Sequence, residues 1–209
     1  MKKLFLLILA GLFVFGCSSQ STLEKKQQRA KSQSASKIVK QLTKEGWQVV
    51  GSKTLEEAVL DHKVALEKDP NNYEIIGMSD QASSMPSADI EAIHNACIVY
   101  ASLAKKSVLK GAEQSNVGHL NGEELNNFSG AYERLISGTI EKELVKSFSI
   151  YKRTANGKID YQSFFIVNEV KAAQVRVRAM EAAIEEAKLS EEFARTISGI
   201  VKQSFDTEQ

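Results

Sequence analysis

The chain has 209 residues, with 27 Lys and Arg against 26 Asp and Glu and a formal net charge of +1. A balance so near zero excludes a general electrostatic field for nucleic acid, and no nucleic-acid partner is expected. Two cysteines cannot build a disulfide framework, so a chain of this length must rest on a hydrophobic core of its own.

Lys2 and Lys3 precede an unbroken apolar run from Leu4 to Phe15, the positive n-region and apolar h-region of an export signal. A spanning helix needs roughly 20 apolar residues. Ser18, Ser19, Gln20 and Ser21 end this run short of that length. Val14-Phe15-Gly16-Cys17 resembles the bacterial lipobox, whose cysteine is acylated before the chain is cut on its amino side. The resemblance implies cleavage between Gly16 and Cys17 and lipidation of Cys17; the alternatives are a signal peptide cut elsewhere or an uncleaved anchor. Each buried methylene contributes about 0.8 kcal/mol, and one acyl chain alone binds marginally, so several on one cysteine would make a lasting tether. Ser18, where an aspartate would argue for retention in the inner membrane, favours the outer membrane by analogy, on its periplasmic side. With Cys17 acylated, Cys97 is left as the single thiol.

Residues 18–36 are rich in Ser, Gln, Lys and Arg and read as a solvated tether. The organisation expected is a signal peptide over 1–16, a lipidated cysteine and polar tether over 17–37, and a folded domain over 38–209. Trp47 to Val50 reads as a strand bounded by glycines. Thr54 and Glu57 form a capping-box signature for a helix whose apolar stripe is Leu55, Val59, His62 and Leu66, broken by Asp69-Pro70-Asn71-Asn72. Tyr73 to Met78 reads as a second strand, and strand, helix, strand in succession suggests a parallel pairing, directly or with another strand between.

Ser87 is placed to cap a long alanine-rich helix ending before Gly111, with Ile90, Ile93, Cys97, Ala101, Ala104 and Val108 at helical spacing. After a loop from Gly111 to Gly122, Leu125, Phe128, Tyr132, Leu135 and Thr139 mark another helix, extended by Ile140 and Leu144. Ser147 to Tyr151 and Ile159 to Val167 alternate about Asn156-Gly157, a preferred type I′ turn. A two-residue loop there sets Arg153 opposite Asp160 and Phe148 opposite Phe165. Asn168 is placed to cap a helix with a stripe of Val170, Ala173, Val177, Met180, Ile184 and Ala187, and Ser190 opens a last helix buried through Phe193, Ile197, Ile200 and Ser204. These elements imply one α+β domain: a mixed four-stranded sheet with helices packed mainly on one face, a two-layer sandwich.

Gly46-Trp47-Gln48-Val49, Asn72-Tyr73-Glu74-Ile75-Ile76-Gly77, Asn95-Ala96-Cys97, Tyr132-Glu133-Arg134, Tyr161 to Glu169 and Arg178-Ala179-Met180-Glu181 are similar to stretches of uncharacterised exported lipoproteins of Bacteroides-type bacteria. The order of a long alanine-rich helix, a second helix, a hairpin and a closing helix also resembles the LPP-twenty type of surface lipoprotein, whose domain is related to the amino-terminal domain of a flagellar assembly protein. Neither group brings a catalytic site, so the resemblance bears on fold and address.

His94 and Cys97, three apart on one helix, form a candidate nucleophile or half a metal site. Cys97 lies in the apolar stripe, and core packing is the reading that stripe favours. His62 occupies its own helix's apolar stripe, and three histidines on three elements give no metal-ligand spacing. The paired acids Glu56 and Glu57, Glu123 and Glu124, Glu185 and Glu186, and Glu191 and Glu192 point apart on helices, as solvated or capping groups do. No metal, cofactor or catalytic residue is expected, and an enzyme is disfavoured without being excluded. Asn116, His119 and Asn121, in the glycine-bearing loop, are candidate contact residues, with plain disorder the competing reading. The hairpin is apolar on both faces, so either helices cover both or one is a contact surface. The function these features suggest is a membrane-anchored envelope lipoprotein with a binding or scaffolding role, toward an envelope protein or itself. An envelope hydrolase and a small-ligand carrier, with its pocket between helices and sheet, are the alternatives.

Overall fold

The computed structural model describes residues 35–115 and 122–203. Gly16, Cys17, the first part of the tether, the loop residues Asn116, His119 and Asn121, and Ser204 lie outside them.

The first described helix, α1, covers residues 35–44 and so begins before position 38. Ala35 is buried with Trp47, Ala58, Val59, Phe148 and Ile150, which holds this segment to the domain although its composition reads as tether. Gly46 ends α1 at φ +83°. The Gly46 N–H donates to the Thr43 carbonyl and the Trp47 N–H to the Leu42 carbonyl, the paired bonds of a left-handed glycine stop. Strand β1, Gln48–Val49, follows, then α2, Leu55–Glu67, which opens on the anticipated capping box of Thr54 and Glu57.

Strand β2 spans Asn72–Ala82 and leads into α3, Met85–Gln114. The cap of α3 is Ser84 rather than Ser87: its hydroxyl accepts from the Ser87 N–H, and Pro86 stands in the first turn, where its missing N–H is harmless. The helix also continues past Gly111 to Gln114. Helix α4 covers Gly122–Ser137 and stops before a 3-10 turn at Ile140–Glu143, so Thr139 and Ile140 do not extend it. Strands β3, Val145–Arg153, and β4, Ile159–Asn168, form the hairpin, and α5, Glu169–Ala187, and α6, Glu191–Gln203, close the chain.

The strand order is β1-β3-β4-β2, and each neighbouring pair is antiparallel. The sheet is therefore antiparallel throughout and not mixed. The hairpin lies between β1 and β2, and three successive reversals leave those two strands antiparallel, so α2 joins opposite edges without a parallel crossover.

Gly157 adopts φ +79°, the Gly157 N–H donates to Thr154, and the Thr154 N–H donates to the Lys158 carbonyl. The loop is thus three residues, 155–157, with a left-handed glycine last, the second commonest hairpin turn after the type I′ pair. The longer loop shifts the expected register by one: Lys152, not Arg153, faces Asp160, and Phe148 faces Phe164, not Phe165. One residue of slip exchanges the faces of the sheet. Phe148 and Phe164 stack at 4.3 Å, while Phe165 turns to the other side and joins the main core.

That main core lies between the sheet and α3, α4, α5 and α6. Ala88, Ala92, Ala96, Ala101 and Ala104 on α3 are buried, and their small side chains let the helix lie close on β2 and β4. The opposite face carries α1 and α2 over Phe148 and Ile150. Helices thus sit mainly on one face, as expected, but the second face has a smaller layer too, making three layers where two were anticipated. The structure is a single α+β domain. No described helix is long and apolar enough to cross a membrane.

Helix α5 also departs from its expected stripe. Val170 is exposed, and the buried face is Ala172, Val175, Arg176, Ala179, Met180 and Ala183. A hydropathy pattern turns arginine outward; here the guanidinium has partners inside.

Candidate functional site

The Asp69-Pro70-Asn71-Asn72 break after α2 becomes one wall of a cavity of about 910 Å³, bounded also by α3, α4 and the first two turns of α5. The wall is tied down. Asp69 accepts from the backbone N–H of Asn71 at 2.9 Å and from the Asn168 side chain at 2.9 Å. These bonds, the backbone N–H first, hold its carboxyl below the usual range. Asn168 also donates to Asn72, and the Glu169 N–H donates to the Asn71 carbonyl. Asn168 thus stands at the start of α5, but its side chain braces this loop and makes no cap bond to the helix.

The floor is a polar network drawn from four elements. Arg176 of α5, 9% exposed, donates to Glu169 two turns earlier and to the hydroxyl of Tyr100 on α3. Tyr73 of β2 and Tyr132 of α4 also line this part of the cavity, Tyr73 half-buried and Tyr132 buried. Burial raises the pKa of Tyr73, Tyr100 and Tyr132. Burial works against the charge on Arg176, but the hydrogen bond and the charge of Glu169 oppose it and the guanidinium stays ionised. All three phenols are therefore neutral hydroxyls at physiological pH, and the one carboxylate in the floor is committed to an arginine. A general acid or base needs a pKa near the working pH and freedom to exchange its proton. This floor is arranged for hydrogen bonding.

At the mouth, Lys106, Ser107 and Lys110 of α3 line the cavity together with Leu103, all four exposed. Both lysines are exposed, and neither makes an ion pair among the described residues.

The other candidates do not assemble into a site. His94 is exposed while Cys97 is buried, so the two side chains of that pair point apart. Burial pushes the Cys97 thiol up to about 11, leaving little thiolate at neutral pH and no activated nucleophile. His62 is buried, its Nε2 2.6 Å from Glu74 and its ring edge-on to Phe148 and Phe164, an imidazole packed into the smaller core. No cluster of three or more His, Cys, Asp or Glu able to hold a metal occurs among the described residues.

Several of the paired acids have structural partners: Glu57 caps α2, Glu124 accepts from the Ser190 N–H before α6, Glu186 pairs with Arg134, and Glu191 with Arg195. The cavity residues were not singled out from the sequence as a group. Tyr132 read as one stripe position, and Arg176 stands between Val175 and Val177 with Gln174 and Arg178 beside them, so nothing local marked it as buried.

No family model matches the chain, and no curated protein or solved structure matches it either.

Proposed function

We propose that this chain is a lipid-anchored lipoprotein of the bacterial outer membrane, on the periplasmic side, whose domain holds a small ligand without transforming it. The observation that carries the binding role is the cavity of about 910 Å³ floored by Arg176, Glu169 and three phenols. Ligand cavities commonly run to roughly 300 to 1,000 Å³ with a few convergent polar groups. The small-ligand reading gains over scaffolding because the half-buried Tyr73 and Glu169 border an open cavity. It gains over hydrolysis because the floor has neutral phenols and a carboxylate held by arginine. The anchor is supported by the Lys2 to Cys17 pattern and by the resemblance to exported lipoproteins.

Two experiments separate address from activity. Cells making the full chain are expected to incorporate labelled palmitate into it, and Cys17→Ser to abolish that label; equal labelling of both would remove the anchor. Full chain purified from membranes and extracted for mass spectrometry is expected to release a small molecule that Leu103→Trp does not retain. Leu103 is 49% exposed at the cavity mouth, so the indole fills the opening while the core is left alone. Identical extracts from the two proteins would overturn the binding role and return the scaffolding reading.

A further inference from the structure

We infer that the ligand of this cavity is a small polyhydroxylated organic anion, a sugar acid or sugar phosphate, with its charged group at Lys106 and Lys110 and its hydroxyls toward Tyr73 and the Asn71-Asn72 wall. The inference rests on the binding reading above and adds the chemistry of what is bound.

Charge decides the orientation. Arg176 and Glu169 neutralise each other at the floor, so that end offers a hydrogen-bonding surface with no net charge. Among the described residues, the lining charges without an ion pair are the two ammonium groups at the mouth, four residues apart on α3. Residues at that spacing lie on one helix face about 5 to 6 Å apart, close enough to share one carboxylate or phosphate, with the Ser107 hydroxyl between them in sequence. A cationic ligand would meet two like charges on entry, and an apolar one would strip water from the half-buried Asn71, Asn72 and Tyr73 without replacing its hydrogen bonds. Tyr100 and Tyr132 are 2% and 1% exposed, so the half-buried Tyr73 is the phenol that a ligand reaches, and its neutral hydroxyl both donates and accepts. A volume of about 910 Å³ admits a molecule of disaccharide size.

The test is calorimetric titration of the full-length chain in nonionic detergent with digalacturonate, glucose 6-phosphate and neutral maltose. One or both anions are expected to bind, which separates carboxylate from phosphate, and maltose to bind at least tenfold more weakly. Lys106→Gln with Lys110→Gln should weaken the anion about tenfold and abolish the salt dependence of its binding, with thermal stability unchanged because both side chains are exposed. Equal binding of maltose and the anions, or binding indifferent to the lysine changes, would overturn the anionic class while leaving the ligand cavity in place. Binding of no probe would also overturn it, and the Leu103→Trp extraction then shows separately whether the cavity holds any ligand.

Discussion

Cys97 shows how one buried group sets a pH limit on the fold. Its thiol is 3% exposed, and burial raises its pKa from an ordinary 9.0 to about 11. The unfolded chain therefore loses this proton first, so between about pH 9 and 11 the folded state binds more protons and stability falls as pH rises, by about 1.4 kcal/mol per pH unit for such a group. Below pH 9 the thiol is protonated in both states and contributes no slope. Tyr73, Tyr100 and Tyr132, whose pKa values are also raised by burial, add to the loss above pH 10. Urea denaturation from pH 8 to 10.5 is expected to show this decline, and Cys97→Ala to flatten its lower part. An unchanged slope in that variant would mean the thiol already ionises in the native state.

At the scale of elements, the closest approach is that of α3 to β2. A Cβ built on Gly77 would stand 1.9 Å from the Ala92 carbonyl oxygen and 2.9 Å from the Ala96 Cβ. A helix backbone cannot yield as a side-chain tip can, so Gly77→Ala should force strand and helix apart, lowering stability by about 1 to 3 kcal/mol. Gly130 in α4 has nothing within 4 Å of its added Cβ, and Gly130→Ala should stabilise by about 0.4 to 1 kcal/mol through helix propensity and a less flexible unfolded chain. Thermal melts of the pair check both signs. The elements themselves were largely legible, because apolar periodicity and caps are local. The α2 capping box, the hairpin and the α5 and α6 starts all came from neighbouring residues. Legibility ended where partners are distant. Asn-Gly does not distinguish a two-residue turn from a three-residue turn ending on glycine, and that single residue decided which aromatic of β4 meets Phe148. The order of strands likewise depends on β4 finding β2 about 90 residues away, which no local spacing encodes.

For the whole molecule, the sheet is buried on both faces, on one by a large core under α3 to α6 and a small cluster of Ala88 and Ala92 with Ile159 and Tyr161, on the other by a small core under α1 and α2. Trp47, the chain's single tryptophan, sits in the small core with Lys152 4.7 Å over its ring, so its emission reports that layer alone. Because Phe148 and Phe165 belong to paired strands of one sheet but to opposite cores, the layers should unfold together. Trp47 emission and far-UV dichroism are expected to give coincident urea transitions, and an earlier fluorescence transition would show that the small layer opens by itself. The cavity is also a whole-molecule property. Tyr73, Tyr100, Tyr132, Glu169 and Arg176 come from β2, α3, α4 and α5, and no motif joins residues spread over so much chain. The sheet rims carry one more consequence. Rim strand β1 has only two residues, and rim strand β2 is interrupted between Ser79 and Ala82, where Gln81 turns to φ +59° beside Asp80. Short, kinked and charged borders refuse a neighbour's backbone. Copies brought close together would therefore be less prone to zip edge to edge into fibrils.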